Sequence, residues 1–80
     1  MDHEVAKALV SEATGWHCFD VYSSGNTSYV VASPSETDNF ARAFFPVEDG
    51  VVGEPLCMAD MIGLAVSDEN LADQLAIKEL

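Results

Sequence analysis

An 80-residue chain that is 49% apolar is long enough for one small folded domain and too apolar for an acidic disordered tail. Only Lys7, Arg42 and Lys78 oppose fourteen carboxylates, for a formal net charge of −11; such a field repels DNA, RNA and anionic lipid and favours basic protein surfaces or cations. No stretch has the length of a membrane span, and the opening MDHEVAKALV lacks the basic start and apolar run of a secretory signal, so the expectation is a cytoplasmic protein with reduced cysteines.

Residues 2–14 read as an amphipathic helix, with Val5, Ala6, Leu9, Val10 and Ala13 at helical spacing. Asp2 suits its N-cap and Gly15 its C-terminal stop. Over residues 16–33 the period changes to alternation, which predicts a β-hairpin turning at Gly25-Asn26 in type II′ geometry. That turn opposes Ser24 to Thr27, Tyr22 to Tyr29, Val21 to Val30 and Phe19 to Ala32. One face then carries Phe19, Val21, Val30 and Ala32, a core face for helices at 2–14 and 55–66. The other carries Trp16, Cys18, Asp20, Tyr22, Tyr29, Val31 and Ser33, and is expected to be left partly to water or a partner.

Ser33-Pro34-Ser35-Glu36 has the form of a capping box and predicts a second helix over 34–45. Phe40, Ala41, Phe44 and Phe45 supply its stripe, and Pro46 ends it. Residues 46–54 read as a loop, or as a short third strand near 50–53, because two strands alone are marginal. Pro55 opens a third helix, 55–66, with Asp60 as its only charge. A helix apolar nearly all round is either deeply buried or an oligomer contact, and Cys57 reads as one of its core residues. Ser67 caps a fourth helix over 68–79. The fold class expected is α+β: one domain, 1–80, with a central antiparallel hairpin packed against about four helices.

The chemistry-bearing residues form no familiar constellation. His3, His17, Cys18 and Cys57 offer no C-x-x-C or H-x-x-x-H pair, and no calcium loop is present, so no metal and no cofactor are expected. Serines 23, 24, 33 and 35 fall in turn and cap positions, and no G-x-S-x-G elbow exists. Cys18 and His17 are strand neighbours that diverge to opposite faces, so they make no dyad. The expectation is a non-enzyme. Residues 58–75 faintly suggest helix-turn-helix, but the second helix would begin Asp68-Glu69-Asn70 and be repelled by phosphates, so direct nucleic-acid binding is not expected.

The acidic surface and the aromatic hairpin face remain. Glu36, Asp38, Asp68 and Glu69 have local duties as helix caps or dipole partners. Asp20 sits on the mixed hairpin face, and Glu48, Asp49 and Glu54 fall in a connection where function concentrates. With Tyr22 and Tyr29 as aromatic anchors, these are the candidate partner-binding residues, aimed at the basic surface of a nucleic-acid-binding complex. In size, acidity and α+β layout the whole chain resembles small phage-encoded inhibitors of the DNA-mimic and anti-CRISPR type. The resemblance is one of class and transfers no residue. It implies an inhibitor in the host cytoplasm that blocks nucleic-acid recruitment. The alternatives are a small acidic regulatory subunit that forms a homodimer through the 55–66 helix, or acidity that serves only solubility or salt adaptation.

Overall fold

The structure is a computed structural model and describes residues 2–35 and 42–75. In chain order it has helix α1 (His3–Thr14), strands β1 (His17–Ser24), β2 (Thr27–Ser33), β3 (Ala43–Glu48) and β4 (Val51–Val52), then helices α2 (Met58–Ala65) and α3 (Glu69–Gln74). The strands form one antiparallel meander in the order β1-β2-β3-β4. The α+β class holds, with four strands where a hairpin and at most one short strand near 50–53 were expected, and three helices among the described residues; Val51–Val52 falls within that range.

Local chemistry sets the first half. The Asp2 carboxylate accepts the Glu4 N–H at 2.9 Å, and Gly15 closes α1 at φ 75°, donating its N–H to Ser11 at 2.8 Å. Gly25 has φ 58° while Asn26 does not turn positive, the sign pattern of a type II′ turn. Ser24–Thr27, Tyr22–Tyr29 and Val21–Val30 pair as expected.

The register then slips at Phe19. Asp20 pairs with Val31 and Cys18 with Ala32, which leaves Phe19 as the extra residue of a β-bulge. A one-residue slip exchanges the two faces of everything upstream. Phe19, expected in the core, is 38% exposed, with the Arg42 guanidinium 5.2 Å from its ring centre. Trp16 and Cys18, expected on the mixed face, instead pack into the core beneath α1. Trp16 meets Phe45 edge-on at 5.2 Å between ring centres.

The helix expected over 34–45 is corrected where the structure describes it. Residues 36–41 lie outside the described set, but 43–45 open β3. Phe45 and Val47 enter one core layer and Phe44 the other, the alternation of a strand buried on both faces. Pro46 does not end an element; it lies inside β3. Its carbonyl accepts the Gly53 N–H at 2.7 Å. Its missing donor therefore faces the short outer strand, where proline is tolerated. Asp49 (φ 52°) and Gly50 (φ 78°) form the β3–β4 turn, and β4 pairs with β3, not with the first hairpin.

Helices cover both faces of the sheet. On one side Ala6 and Val10 of α1 meet Val21, Val30, Ala32, Phe45 and Val47. On the other, Met61, Ala65 and Leu71 of α2 and α3 meet Val31 and Phe44, flanked by Tyr22 and Tyr29. The 55–66 helix therefore packs on the face that was expected to stay open. It also starts late. Leu56 exchanges two backbone hydrogen bonds with Phe44, at 2.9 and 2.8 Å, so the chain is still strand-like there. Cys57 is the exposed N-cap of α2, not a core residue. α3 is capped by Asp68, whose carboxylate accepts the Leu71 N–H at 3.1 Å, and not by Ser67; residues 76–79 of the expected fourth helix lie outside the described set.

Candidate partner-binding surface

The β1–β2 and β3–β4 turns lie at one end of the sheet, because Thr27 pairs with Glu48. The start of α1 reaches the same end, with His3 Nε2 3.4 Å from Ser23 Oγ. So does the start of α3, where the Ser24 hydroxyl donates to the Asp68 carboxylate. Three separate segments thus bring Asp2, Glu48, Asp49 and Asp68 to the turn end. The first three are exposed and Asp68 is half-buried.

The electrostatics agree with that grouping. The Tyr29 phenol is pushed up by burial first, and then by the negative charges of Asp68 and Glu48. The Asp68 carboxyl is held below its ordinary value, chiefly by the Ser24 hydroxyl and then by the Leu71 N–H, against a smaller opposing effect of burial. It stays ionised, and its position is fixed from two sides. The two cations among the described residues are committed elsewhere: Lys7 lies 3.8 Å from Glu4 on α1, and Arg42 stacks on Phe19 towards the opposite end.

The six residues expected to bind a partner do not form one patch. Glu48 and Asp49 stand together at the β3–β4 turn, beside a shallow groove of about 320 Å³ that Pro46, Val51 and Gly53 also line. Glu54 is exposed further along that edge, between Gly53, bonded to Pro46, and Leu56, bonded to Phe44. Asp20 lies on β1, the other edge of the sheet, three strand spacings or about 14 Å from β4. Its carboxylate accepts the Val21 N–H at 2.8 Å, a local duty that the sequence did not suggest. Tyr22 and Tyr29 are half-buried in the α2–α3 layer, and Tyr22 packs 6.2 Å from the Phe44 ring centre. Sequence reasoning had set Asp68 aside as a first-turn dipole partner behind a Ser67 cap. It is the cap itself, and its hydrogen bond to Ser24 also makes it part of the acidic end; no local signal marks that long-range contact.

A larger groove of about 580 Å³ runs between α1 and the start of β1, lined by Lys7, Trp16, Cys18 and Phe19 among others. The Cys18 thiol there points at the Lys7 carbonyl, 3.5 Å away, and burial pushes its pKa up despite the Lys7 charge. That favours the unreactive thiol form over a nucleophilic thiolate. Among the described residues no group of three or more His, Cys, Asp or Glu side chains is placed to hold a metal ion. No described helix is long and apolar enough to cross a membrane. No family model, curated protein or solved structure matches the chain.

Proposed function

We propose that this protein is a non-enzymatic acidic inhibitor whose turn end binds the basic nucleic-acid-binding surface of an effector complex and blocks nucleic-acid recruitment, acting in the host cytoplasm if it is phage-encoded. The observation that carries this reading is the convergence of Glu48, Asp49 and Asp68 on a tight turn and a helix cap. A carboxylate held in place, as Asp68 is by Ser24 and Leu71, loses little conformational entropy when it meets lysine or arginine, and the tight turn fixes the backbone beneath Asp49. Single exposed ion pairs contribute about 0–1 kcal/mol, so the reading depends on several acting together and on electrostatic steering.

The test has two steps. Immobilised protein is used to capture partners from a host extract, eluted by a salt gradient. The purified partner is then assayed for loss of its nucleic acid as the inhibitor is added. Salt-sensitive capture of a nucleic-acid-binding partner, with displacement, is expected; capture that resists salt and leaves the nucleic acid bound contradicts the proposal.

A second reading rests on α2. Met58, Leu64 and Val66 are 50, 40 and 72% exposed, which suits a small acidic subunit assembling through that helix. Its mark would be self-association that persists, or strengthens, at high salt.

A further inference from the structure

β1 is an edge strand of the sheet, and the outward main-chain groups of an edge strand come from alternate residues. Ser23 is one of them. The Gln74 side chain of α3 accepts the Ser23 N–H at 2.6 Å and donates to the Ser23 carbonyl at 2.6 Å. A primary amide placed this way takes the position of a neighbouring strand's peptide group. Two residues back, Val21 also points outward, and its N–H is taken by the Asp20 carboxylate at 2.8 Å. Successive outward positions are thus occupied by side chains of the same chain, one of them on a helix 51 residues distant in sequence. Leu71, 1% exposed, and Asp68 on Ser24 hold that helix over the edge.

We infer that α3 is an autoinhibitory strap over a strand-pairing edge, and that when Gln74 and Asp20 leave it, the edge pairs antiparallel with β1 of a second copy. The occupant follows from the register. Pairing Val21 with Ser23 of the second copy, and Ser23 with its Val21, uses all four outward residues and centres the two-fold axis on Tyr22. Tyr22 then faces its own counterpart, a favourable cross-strand aromatic pair, and Asp20 faces Ser24; the Asp68 carboxylate bonded to Ser24 then lies near Asp20, a repulsion that salt screens and Asp20→Ala removes. Exposed strand edges pair in this way unless something blocks them.

The test compares the wild-type chain with Gln74→Ala, Asp20→Ala/Gln74→Ala and Gln74→Glu. The last keeps the side-chain shape but removes the donor to the Ser23 carbonyl, and it serves if the alanine variants fail to fold. Sedimentation over a concentration series in 0.5 M salt (about 0.5 M, enough to screen the acidic surfaces) is read with amide exchange at Val21 and Ser23. The wild-type chain is expected to show no association through β1 and a protected Ser23 amide. In the dilute alanine variants the Ser23 amide should exchange about tenfold faster, and it should slow again as dimer forms; the Gln74→Glu carboxylate can still accept that N–H, so this variant is read by its association alone. Three results overturn the inference: variants that stay monomeric with a fast-exchanging Ser23 amide, a Ser23 amide whose exchange does not respond to Gln74, or a dimer in which Val21 and Ser23 remain unprotected.

Discussion

Val21 and Phe19 differ by two positions and by their place in the structure. Val21 is 3% exposed among α1 and the central strands, so Val21→Asp buries a charge without a partner and should unfold the domain. Phe19 stands on the bulge against Arg42, and Phe19→Ala should cost about 1 kcal/mol or less, the value of an exposed cation–π contact. Thermal or denaturant melts of the two variants check the pair of outcomes; equal destabilisation would contradict the bulge. Alternation alone put both residues in the core. The type II′ turn made pairing legible from Ser24 back to Asp20, but the extra residue at Phe19 has no marker in the sequence, and the slip it causes moved Trp16 and Cys18 to the opposite face.

The ends of the elements were more readable where a side chain closes its own turn. Asp2 and Gly15 bracket α1 as expected. Asp49-Gly50 is the same kind of local signal, an Asp-Gly pair closing a hairpin, and it outweighs the helical spacing that had claimed Phe44 and Phe45. Two neighbouring phenylalanines fit a helix stripe or a strand buried on both faces, and only the α2–α3 layer decides between them. α3 carries a pH dependence on the acid side. Its cap, Asp68, has a lowered pKa in the fold, so the unfolded chain binds that proton more tightly. The contribution is complete above the unfolded carboxylate value, near ~3.9, and is lost as pH falls through the folded value. Asp68→Asn can still cap the helix, but its melting temperature should fall less than that of the wild type between neutral and strongly acidic pH. Parallel pH curves would show that Asp68 does not couple α3 to the hairpin. In α2, Gly63 is exposed and an added Cβ would meet nothing within 4 Å. Gly63→Ala should therefore stabilise the fold by about 0.5–1 kcal/mol in chemical denaturation. A loss of stability would mean that the outer face of α2 is packed in solution.

At the scale of the molecule, the charge of the described residues has an uneven layout. Net charge and the exposure of Glu48 and Asp49 were legible, because an acid without a capping duty stands out. The rest of the acidic end was not, since Asp2 and Asp68 join it through α1 and α3 folding back to the same end of the sheet. Asp20 and the two tyrosines were singled out for a mixed strand face that helices in fact cover. The central claim is that binding depends on the placement of charge as well as its amount, and one comparison tests it most directly. Glu48→Lys/Asp49→Asn changes the turn end, asparagine being suited to the positive φ at position 49. Ser11→Lys/Glu12→Lys makes the same change in net charge at exposed positions near the other end of α1. Displacement of nucleic acid from the captured partner is titrated with each variant in moderate salt. The turn-end variant should bind about 1–3 kcal/mol more weakly, mainly through slower association, with the α1 variant close to wild type. Equal weakening by both would reduce the effect to net charge, and undiminished displacement by the turn-end variant would contradict the account.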